Sequence, residues 1–333
     1  QSSQRSPRPD ATVTDVLPPL SAGMREVLRV QAARVTDRAA VNADPAEQRA
    51  RYAAERAYWN EGGPVMAATT QEMVAGPQGP FQVRWHHPHG LADSCLLYVH
   101  GGGFVVGGLD THDRIMRTLA ELSGAVVVGV DYALSPEAKF PQAVHECAAA
   151  ARHVADRAAE HGVTGEGISF AGDSGGANLA LAATLLLRDH GGPAVRSLLL
   201  YYGMYGLRDS RSQRRYGNEW DGLTPADLAA YLAAYTSGPE DLLDPYLDCL
   251  GADLAAGIPP TYLLASTLDP LLDDTLALAD ALAQHGVDHR LAQVDGVLHG
   301  FLHYSRLLPQ ARDALADGAA FHRSVLEGHR PSR

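Results

Sequence analysis

The fold is decided by residues 167–189, which read GISFAGDSGGANLALAATLLLRD. The apolar beginning of this stretch predicts a β-strand, and its Ala- and Leu-rich second half predicts a helix. Between the two, Gly172-Asp173-Ser174-Gly175-Gly176 matches the pattern GxSxG. A turn this sharp requires very small residues on either side of the serine, and Gly172 and Gly176 meet that requirement. The stretch therefore predicts a strand, a tight turn that presents Ser174 above a sheet, and a helix beginning at Gly175.

The same alternation of short apolar strands and helical segments extends in both directions from this unit. The segments are strand 95–99, helix 112–122, strand 125–130, helix 141–160, strand 167–171, helix 175–189, strand 195–201, strand 261–265, helix 271–285, strand 290–294 and helix 304–325. Fully apolar strands separated by helices are typical of parallel strands that are covered on both faces. The sequence therefore predicts an α/β sheet with helices on both sides.

The remaining segments surround this repeating pattern. Residues 1–20 show no periodicity and are interpreted as a loose arm, whereas 22–59 are helical in pattern with a break near 42–45. Two strand segments, 65–74 and 81–86, follow, with turn residues between them. Residues 203–240 interrupt the alternation with a helix from Thr224-Pro225 to about Tyr235, and we expect this insertion to form a lid.

Composition and charge exclude several classes of function. The 333 residues include 27 basic and 39 acidic side chains, for a net charge of −12. This balance argues against sequence-independent binding to nucleic acid or to an anionic membrane, since both require a basic surface. No uncharged stretch, Ser174 to Leu187 included, is long enough to cross a bilayer. The three scattered cysteines form neither a disulfide framework nor a CxxC metal site and suit a reducing compartment.

A second glycine-rich motif, His100-Gly101-Gly102-Gly103-Phe104, directly follows the strand at 95–99. Consecutive glycines allow backbone amides to point into a shared space. Two of these amides, together with that of Gly175, would make a three-donor oxyanion hole. The alternatives are a phosphate-binding loop and a simple hinge, but no Lys-Ser/Thr follows and the spacing does not fit GxGxxG.

A nucleophilic serine needs a base and an acid that orients the base. In hydrolases whose serine lies in a strand-turn-helix GxSxG motif, both follow the serine in the chain, at the ends of later strands. Asp269 follows the strand at 261–265, and His299 lies in a glycine-flanked loop after the last strand. Asp273 and Asp274 compete with Asp269 but are expected in the first turn of a helix, where carboxylates are favoured. His303 competes with His299 but is expected on the closing helix.

The letters GDSGG also occur around the nucleophile of trypsin-like serine proteases. That class requires a mostly β double barrel, disulfides, and a His and an Asp upstream of the serine. This chain is rich in helical patterns and has three isolated cysteines, so we reject that interpretation.

The chain resembles the hormone-sensitive lipase family of esterases, and within it the acetyl esterases of enteric bacteria. The likeness extends over most of the chain after residue 80 and lies in these motifs: HGGGF at 100–104, DYALSPE at 131–137, GDSGG at 172–176, DPL at 269–271, HGF at 299–301, and the stretches 107–117, 205–210, 220–224 and 301–306. One departure is Gly175, where many relatives carry Ala, although the amide is retained.

This resemblance implies an α/β-hydrolase fold with a helical cap and cofactor-free, metal-free hydrolysis of short-chain acyl esters in the cytoplasm. It implies a triad of Ser174, Asp269 and His299, with Gly102, Gly103 and Gly175 as oxyanion donors. His100, Gly101, Gly172 and Gly176 complete the two motifs. We expect residues 1–60 to form the arm and cap helices, 61–202 and 241–333 the catalytic domain, and 203–240 the cap insertion. A homodimer is left open.

Some residues and functions keep more than one interpretation. His86, His87 and His89 could suggest a metal site but are interpreted as an exposed polar cluster. Four aromatic residues could equally line an acyl pocket or pack the cap: Tyr201, Tyr202, Tyr205 and Trp220. Because the cap is rich in such bulky residues, we expect a short acyl pocket and a preference for acetate to butyrate esters. An amidase or peptidase with the same triad, and a non-catalytic binding protein of the same fold, are the rival functions.

Overall fold

The computed structural model describes residues 19–34, 44–165, 167–217 and 223–328. In this part of the chain the strands are β1 (Ala68–Gly76), β2 (Gly79–His87), β3 (Cys95–Val99), β4 (Val126–Asp131), β5 (Ile168–Asp173), β6 (Val195–Tyr201), β7 (Thr261–Ser266) and β8 (His289–Val294). They form one eight-stranded sheet in the order β1-β2-β4-β3-β5-β6-β7-β8. The β1–β2 and β2–β4 pairs are antiparallel and the others are parallel.

Helices cover both faces of this sheet. They are α1 (Ala22–Arg34), α2 (Pro45–Asn60), α3 (Asp113–Ser123), α4 (Gln142–Arg157), α5 (Gly175–His190), α6 (Arg211–Arg215), α7 (Pro225–Tyr235), α8 (Leu272–Gln284) and α9 (Pro309–Gly328). Within the described ranges, no helix combines the length and the apolar character needed to cross a membrane.

The central strands β3 to β7 each contribute to two separate cores because successive side chains point to opposite faces of the sheet. In β3, Cys95, Leu97 and Val99 pack in the core under α4, α5 and α8, whereas Leu96 and Tyr98 pack in the core under α1, α2, α3 and α9. All five residues of β3 are buried. The continuous apolar runs of the central strands are thus explained by burial on both faces.

The parallel strands place their carboxyl ends at one edge of the sheet. The loops after β3, β5, β7 and β8 all leave from this edge. Ligand sites in open α/β sheets lie in the crevice outside these ends. The GxSxG and HGGG motifs and the loops that carry Asp269 and His299 therefore meet at the same edge.

The α/β-hydrolase architecture predicted from the sequence is confirmed, and β6 has the predicted bounds. The closing helix was expected from residue 304 but begins at Pro309, because residues Phe301–Tyr304 form a separate 3₁₀ turn. His303 was expected on the closing helix, but it is buried in the 3₁₀ turn that precedes it. The predicted arm lies, apart from residues 19 and 20, outside the described residues, as does Trp220.

The insertion after β6 contains α6 and α7. Thr224 caps α7: its hydroxyl accepts a hydrogen bond from the Asp227 amide, and the Asp227 carboxylate accepts one from the Thr224 amide. This reciprocal capping box, with Pro225 in the first turn, explains why the helix begins where the sequence predicts it. The domain bounds stay predictions: 1–60 for the arm and cap helices, 203–240 for the cap insertion, and 61–202 with 241–333 for the catalytic domain.

Candidate active site

Ser174 lies at a tight turn between β5 and α5. Its backbone has φ of 55°, in the left-handed region, and it is the N-cap of α5. The turn brings other backbone so close that a Cβ at Gly176 would lie 2.1 Å from the Val99 carbonyl oxygen. A Cβ at Gly172 would lie 2.4 Å from the Gly176 carbonyl oxygen. Gly172 and Gly176, which were predicted to permit this turn, are therefore required, because a side chain at either position would collide with the backbone.

The structure brings Ser174, His299 and Asp269 into one hydrogen-bonded chain. Nε2 of His299 lies 2.9 Å from Oγ of Ser174, and Nδ1 lies 2.7 Å from Oδ2 of Asp269. Asp269 is fully buried, and its Oδ1 accepts a hydrogen bond from the Leu271 amide at 2.7 Å. Because the carboxylate accepts from Nδ1–H, the lone pair of Nε2 faces the serine hydroxyl. This arrangement can remove the hydroxyl proton during nucleophilic attack.

The loop after β3 places two glycines of the HGGG motif beside the serine. A Cβ on Gly175 would lie 3.5 Å from the Gly103 amide nitrogen, so these two residues are neighbours. Gly102 and Gly103 have φ of 125° and 58°, and both line the same cleft as Ser174. Within the described ranges, the amides of Gly102 and Gly103 donate no hydrogen bond. They are therefore available to an oxygen bound in the cleft.

A buried polar network supports this loop from below. Oδ1 of Asp173 accepts hydrogen bonds from the Tyr98 hydroxyl at 2.8 Å and from the Gly101 amide at 2.9 Å. Burial alone would raise the pKa of Asp173, but His112, His303 and Tyr98 more than offset this effect and hold the pKa well below its usual range. Asp173 is therefore ionised and holds the amide of Gly101 in place.

His100, the first residue of the motif, is not part of the hydrogen-bonded chain at Ser174. Its ring stacks on Tyr132 with centroids 4.3 Å apart, and its Nδ1 lies 2.9 Å from the Gly101 carbonyl oxygen. Burial, reinforced by the nearby His112, lowers the pKa of His100 to about 3. His100 is thus a neutral ring that packs under the loop.

One group of side chains in the described part of the chain has the spacing of metal ligands. It consists of His112, Asp173 and His303, all buried, with ligand atoms within 4.8 Å of one another. Oδ1 of Asp173 already accepts two hydrogen bonds and lies 3.4 Å from Nε2 of His112. Asp173 thus supports the glycine loop through its hydrogen bond to the Gly101 amide, and the rings of His112 and His303 pack against each other beside it.

The cleft above Ser174 has a free volume of about 90 Å³. Its apolar lining comes from Phe104, Val106, Met204, Leu223, Leu228, Tyr231, Leu232 and Leu271. Its polar side is formed by Tyr52 and Arg56 of α2 together with Asp173 and His303. No sequence motif marks Tyr52, Arg56 or Tyr231, because each side chain reaches the site from a helix far away in the chain. A wider depression beside α6 is open to solvent and holds neither Ser174 nor its partners.

Two groups of residues singled out in the sequence lie elsewhere. Tyr201, Tyr202 and Tyr205 are buried in the cores and do not line the cleft, although the Tyr202 ring packs edge-on against His299 with centroids 4.9 Å apart. The interpretation of the β2 histidines as an exposed cluster is wrong for His86. This ring is fully buried, because β2 is an internal strand, and its Nε2 lies 3.5 Å from Asp113.

His87 and His89 also differ from each other. The His87 ring is half-buried and stacks on His161 with centroids 5.4 Å apart, whereas His89 is exposed. The three histidines therefore do not form one cluster, because their side chains leave the strand and the following turn in different directions.

A second serine–histidine contact occurs on the other side of the molecule. Oγ of Ser197 lies 2.9 Å from Nδ1 of His322 and 3.0 Å from Oγ of Ser169. All three side chains are buried, and Ser169 and Ser197 lie near the amino-terminal ends of β5 and β6. The contact is thus remote from the cleft and from the carboxyl edge of the sheet.

Comparisons with known proteins identify the family of the chain. The family model described as the alpha/beta hydrolase fold matches residues 96–303, more than half of the chain. A hyperthermophilic esterase from the archaeon Pyrobaculum calidifontis is 33% identical, with a TM-score of 0.85 over 92% of this chain and 99% of that one. The carboxylesterase EstE1, cloned from a metagenomic library, is 33% identical, with a TM-score of 0.82 over 88% of this chain and 100% of its own.

An ester hydrolase from the metagenome of Lake Arreo, solved with a derivative of bipyridine phosphonate, is 31% identical. Its TM-score is 0.85 over 92% of this chain and 99% of that one. Similarity at this level over nearly the whole length extends beyond the fold to the family. The chain therefore belongs to the hormone-sensitive-lipase-type esterase family of the alpha/beta hydrolase fold.

Proposed function

We propose that this protein is a carboxylesterase that hydrolyses short-chain acyl esters through an acyl-enzyme on Ser174. The observation that carries the proposal is the chain of two hydrogen bonds from Ser174 through His299 to Asp269, at 2.9 and 2.7 Å, beside the unused amides of the glycine loop. The membership in an esterase family supports it independently.

In the acylation step, Oγ of Ser174 attacks the ester carbonyl carbon while Nε2 of His299 takes the hydroxyl proton. The C–O bond to the alcohol then breaks, and His299 returns the proton to the leaving oxygen. Asp269 holds Nδ1–H and stabilises the positive charge that develops on the ring. The amides of Gly102, Gly103 and Gly175 donate to the carbonyl oxygen as it becomes negative.

In the deacylation step, the same groups act on water. His299 removes a proton from a water molecule, the hydroxide attacks the acyl carbon, and Ser174 leaves as its proton returns from Nε2. The products are a carboxylic acid and the regenerated hydroxyl. Apart from the buried Asp269, every group assigned to these steps lines one cleft.

A preference for short acyl chains is supported by the size of the cleft. Its free volume is about 90 Å³, and one water molecule needs roughly 10–15 Å³ on the same scale. The ring of Tyr231 and the side chains of Leu228 and Leu232 on α7 close its apolar end. We expect acetate to butyrate esters to be hydrolysed well above octanoate, as the resemblance to acetyl esterases also implies, and we keep the cytoplasm as the expected location. A flat rate profile out to palmitate would contradict the short-chain preference.

The assignment of the nucleophile is tested with Ser174→Ala and a matched serine variant. Ser174→Ala is expected to lose at least 10³-fold in kcat/KM for an aryl acetate, roughly the loss expected when a nucleophile is removed. Ser197→Ala removes the contact between Ser197 and Nδ1 of His322 and is expected to keep this activity. An organophosphate should label Ser174 alone, as read by mass spectrometry. Full acetate hydrolysis by Ser174→Ala would show that the nucleophile lies elsewhere.

A further inference from the structure

Among the described residues that line the cleft, the guanidinium of Arg56 is the one permanent cation. This residue reaches the cleft from α2, and its side chain is only 12% exposed. One nitrogen of the group is already bonded: Nη1 donates to the Tyr304 hydroxyl at 3.2 Å and to Glu55 at 3.4 Å. Both distances are long for charge-assisted bonds, so the charge is only partly compensated inside the protein.

In the described part of the chain, the other edge of the guanidinium makes no hydrogen bond of normal geometry, although the Tyr52 side chain lies close to the group. Nε is buried without a hydrogen-bond partner, and Nη2 donates to no described residue. A buried N–H group that remains unpaired is unfavourable, so native proteins rarely leave one without a reason. Nε and Nη2 together form the planar two-donor edge that binds a carboxylate in bidentate fashion.

The neighbours of Arg56 are compatible with an anionic group in this position. The guanidinium lies over the Tyr52 ring, 4.7 Å from its centroid. Burial raises the pKa of Tyr52 to about 12, so its hydroxyl remains protonated, and its only described partner is the long contact of 3.4 Å to Nε2 of His303. Asp173 lines the same side, but its carboxylate already accepts hydrogen bonds from the Tyr98 hydroxyl and the Gly101 amide.

We propose that the free edge of Arg56 binds a carboxylate carried by the ester substrate, so that the preferred substrates are short esters with an anionic end. The cleft then has two ends with different chemistry. Leucines and Tyr231 contact the apolar part of the ester, and Arg56 with Tyr52 binds the carboxylate. This substrate class rests on the proposed esterase function and adds to it a charge requirement.

The first test uses the native enzyme and pairs of esters that differ only in charge. Monoethyl succinate is compared with ethyl succinamate, and 3-carboxyphenyl acetate with 3-carbamoylphenyl acetate. The first pair carries the carboxylate on the acyl side and the second on the alcohol side. In one of the pairs, kcat/KM for the ester that carries a carboxylate is expected to exceed kcat/KM for its matched carboxamide ester by about tenfold or more. A factor of this size is what a bidentate charged contact is expected to contribute. Equal values within both pairs would overturn the proposal without any variant.

The second test assigns that preference to Arg56. In Arg56→Met, which keeps the stem but loses the charge, the carboxylate-to-amide ratio should fall to about one, whatever the change in the amide ester's own rate. Arg56→Lys keeps the charge but not the planar edge and should retain part of the ratio. Arg51→Met is the matched control, because Arg51 lies on the same helix but pairs with Glu47 at the surface. A ratio that survives in Arg56→Met would overturn the proposal.

These outcomes are separate from those that test the esterase function itself. If Ser174→Ala abolishes hydrolysis of both members of each pair but the native enzyme does not distinguish them, the esterase function stands and the carboxylate site fails. If no ester is hydrolysed by the native enzyme, the esterase function fails. Competitive inhibition of the native protein by succinate but not by succinamide, read on a neutral acetate ester, would support the site even if Arg56→Met failed to fold.

Discussion

The ring of Tyr231 on α7 packs directly on the backbone of Gly103, so that a Cβ at residue 103 would lie 2.4 Å from the ring Cγ. Gly103 also has φ of 58°, which L side chains adopt at a cost. The insertion after β6 and the HGGG loop are therefore in van der Waals contact above Ser174. This contact makes the position of the Gly103 amide depend on α7.

Gly103→Ala should reduce esterase activity far more than it reduces stability. The added methyl group must displace either Tyr231 or the loop, and a displaced Gly103 amide no longer reaches the oxyanion. Loss of one such donor lowers kcat by roughly 10²–10³. The measurement is kcat on an aryl acetate, with the thermal midpoint recorded in parallel.

Gly108→Ala is the matched control for this prediction. Gly108 lies in the same loop, and the nearest atom to its added Cβ, Oδ1 of Asp131, is 3.6 Å away. It should retain activity. Adding Tyr231→Ala to Gly103→Ala should restore part of kcat. If Gly103→Ala remained fully active, the Gly103 amide would have no part in catalysis.

Asp269→Asn should lower kcat by roughly 10³–10⁴ with little loss of structure. The amide oxygen can still accept the Leu271 amide hydrogen, but the NH₂ group then faces Nδ1 of His299. The imidazole is forced into the tautomer that carries its proton on Nε2, and it can no longer accept the proton of Ser174. Activity on an aryl acetate and near-UV circular dichroism are the two measurements.

Asp273→Asn provides the control, since Asp273 lies four residues away and, among the described residues, accepts the Ser212 amide hydrogen at 2.8 Å and no other. We expect normal kcat in this variant. Equal losses in the two variants would mean that Asp269 does not orient His299.

Asp274 should make the stability of the protein decrease as the pH rises. Its carboxyl is fully buried on α8 and accepts the amide hydrogens of residues 205–207 at 2.7 to 3.2 Å. Burial, only partly opposed by these bonds, raises the pKa of Asp274 to about 7. The folded state thus holds this proton when the unfolded chain has lost it. The resulting stabilisation is complete below about pH 4 and is lost as the pH approaches 7.

Asp274→Asn removes this titration and keeps an oxygen acceptor for the same amides. The stability of the variant relative to the native protein should therefore be higher at about pH 8 than at about pH 5. Urea unfolding at the two pH values measures the difference, and Asp273→Asn serves again as control. A stability difference that is the same at both pH values would contradict the raised pKa.

Arg49 connects α2 to the loops that surround the cleft. Its guanidinium donates to the carbonyl oxygens of Val105 and Ser135, both at 2.8 Å, and pairs with Glu137. Arg49→Ala leaves two carbonyls of buried residues unpaired and should destabilise the protein by on the order of 2 kcal/mol. Arg51→Ala on the same helix removes only a surface pair and should change the urea midpoint little. A neutral effect of Arg49→Ala would show that α2 is held by other contacts.

Most of the strand and helix order could be read from the sequence because its signals are local. Apolar runs of strand length, helical periodicity and the glycines around Ser174 each depend on neighbours within a few residues. The bounds of β6 and the start of α7 illustrate this. The closing helix was placed too early, because the apolar residues of Phe301–Tyr304 suit a 3₁₀ turn as well as a helix.

The site was predicted less completely, for a physical reason. Ser174, Asp269 and His299 follow separate strands, and the parallel sheet brings them together; their catalytic roles stay predictions. Tyr52, Arg56 and Tyr231 come from helices whose sequences have no special pattern at those positions. The burial of His86 likewise depends on β2 lying between β1 and β4, which no local pattern reveals.

The amino-acid sequence by itself determined the class of sheet, the sharp turn at Ser174 and the glycine loop, because steric and periodic constraints act between adjacent residues. Only the tertiary structure decided which charges and rings enclose the cleft, above all the unpaired edge of Arg56. That outcome follows from how α2 and α7 pack across the sheet edge, and such packing is set by contacts between residues far apart in the chain.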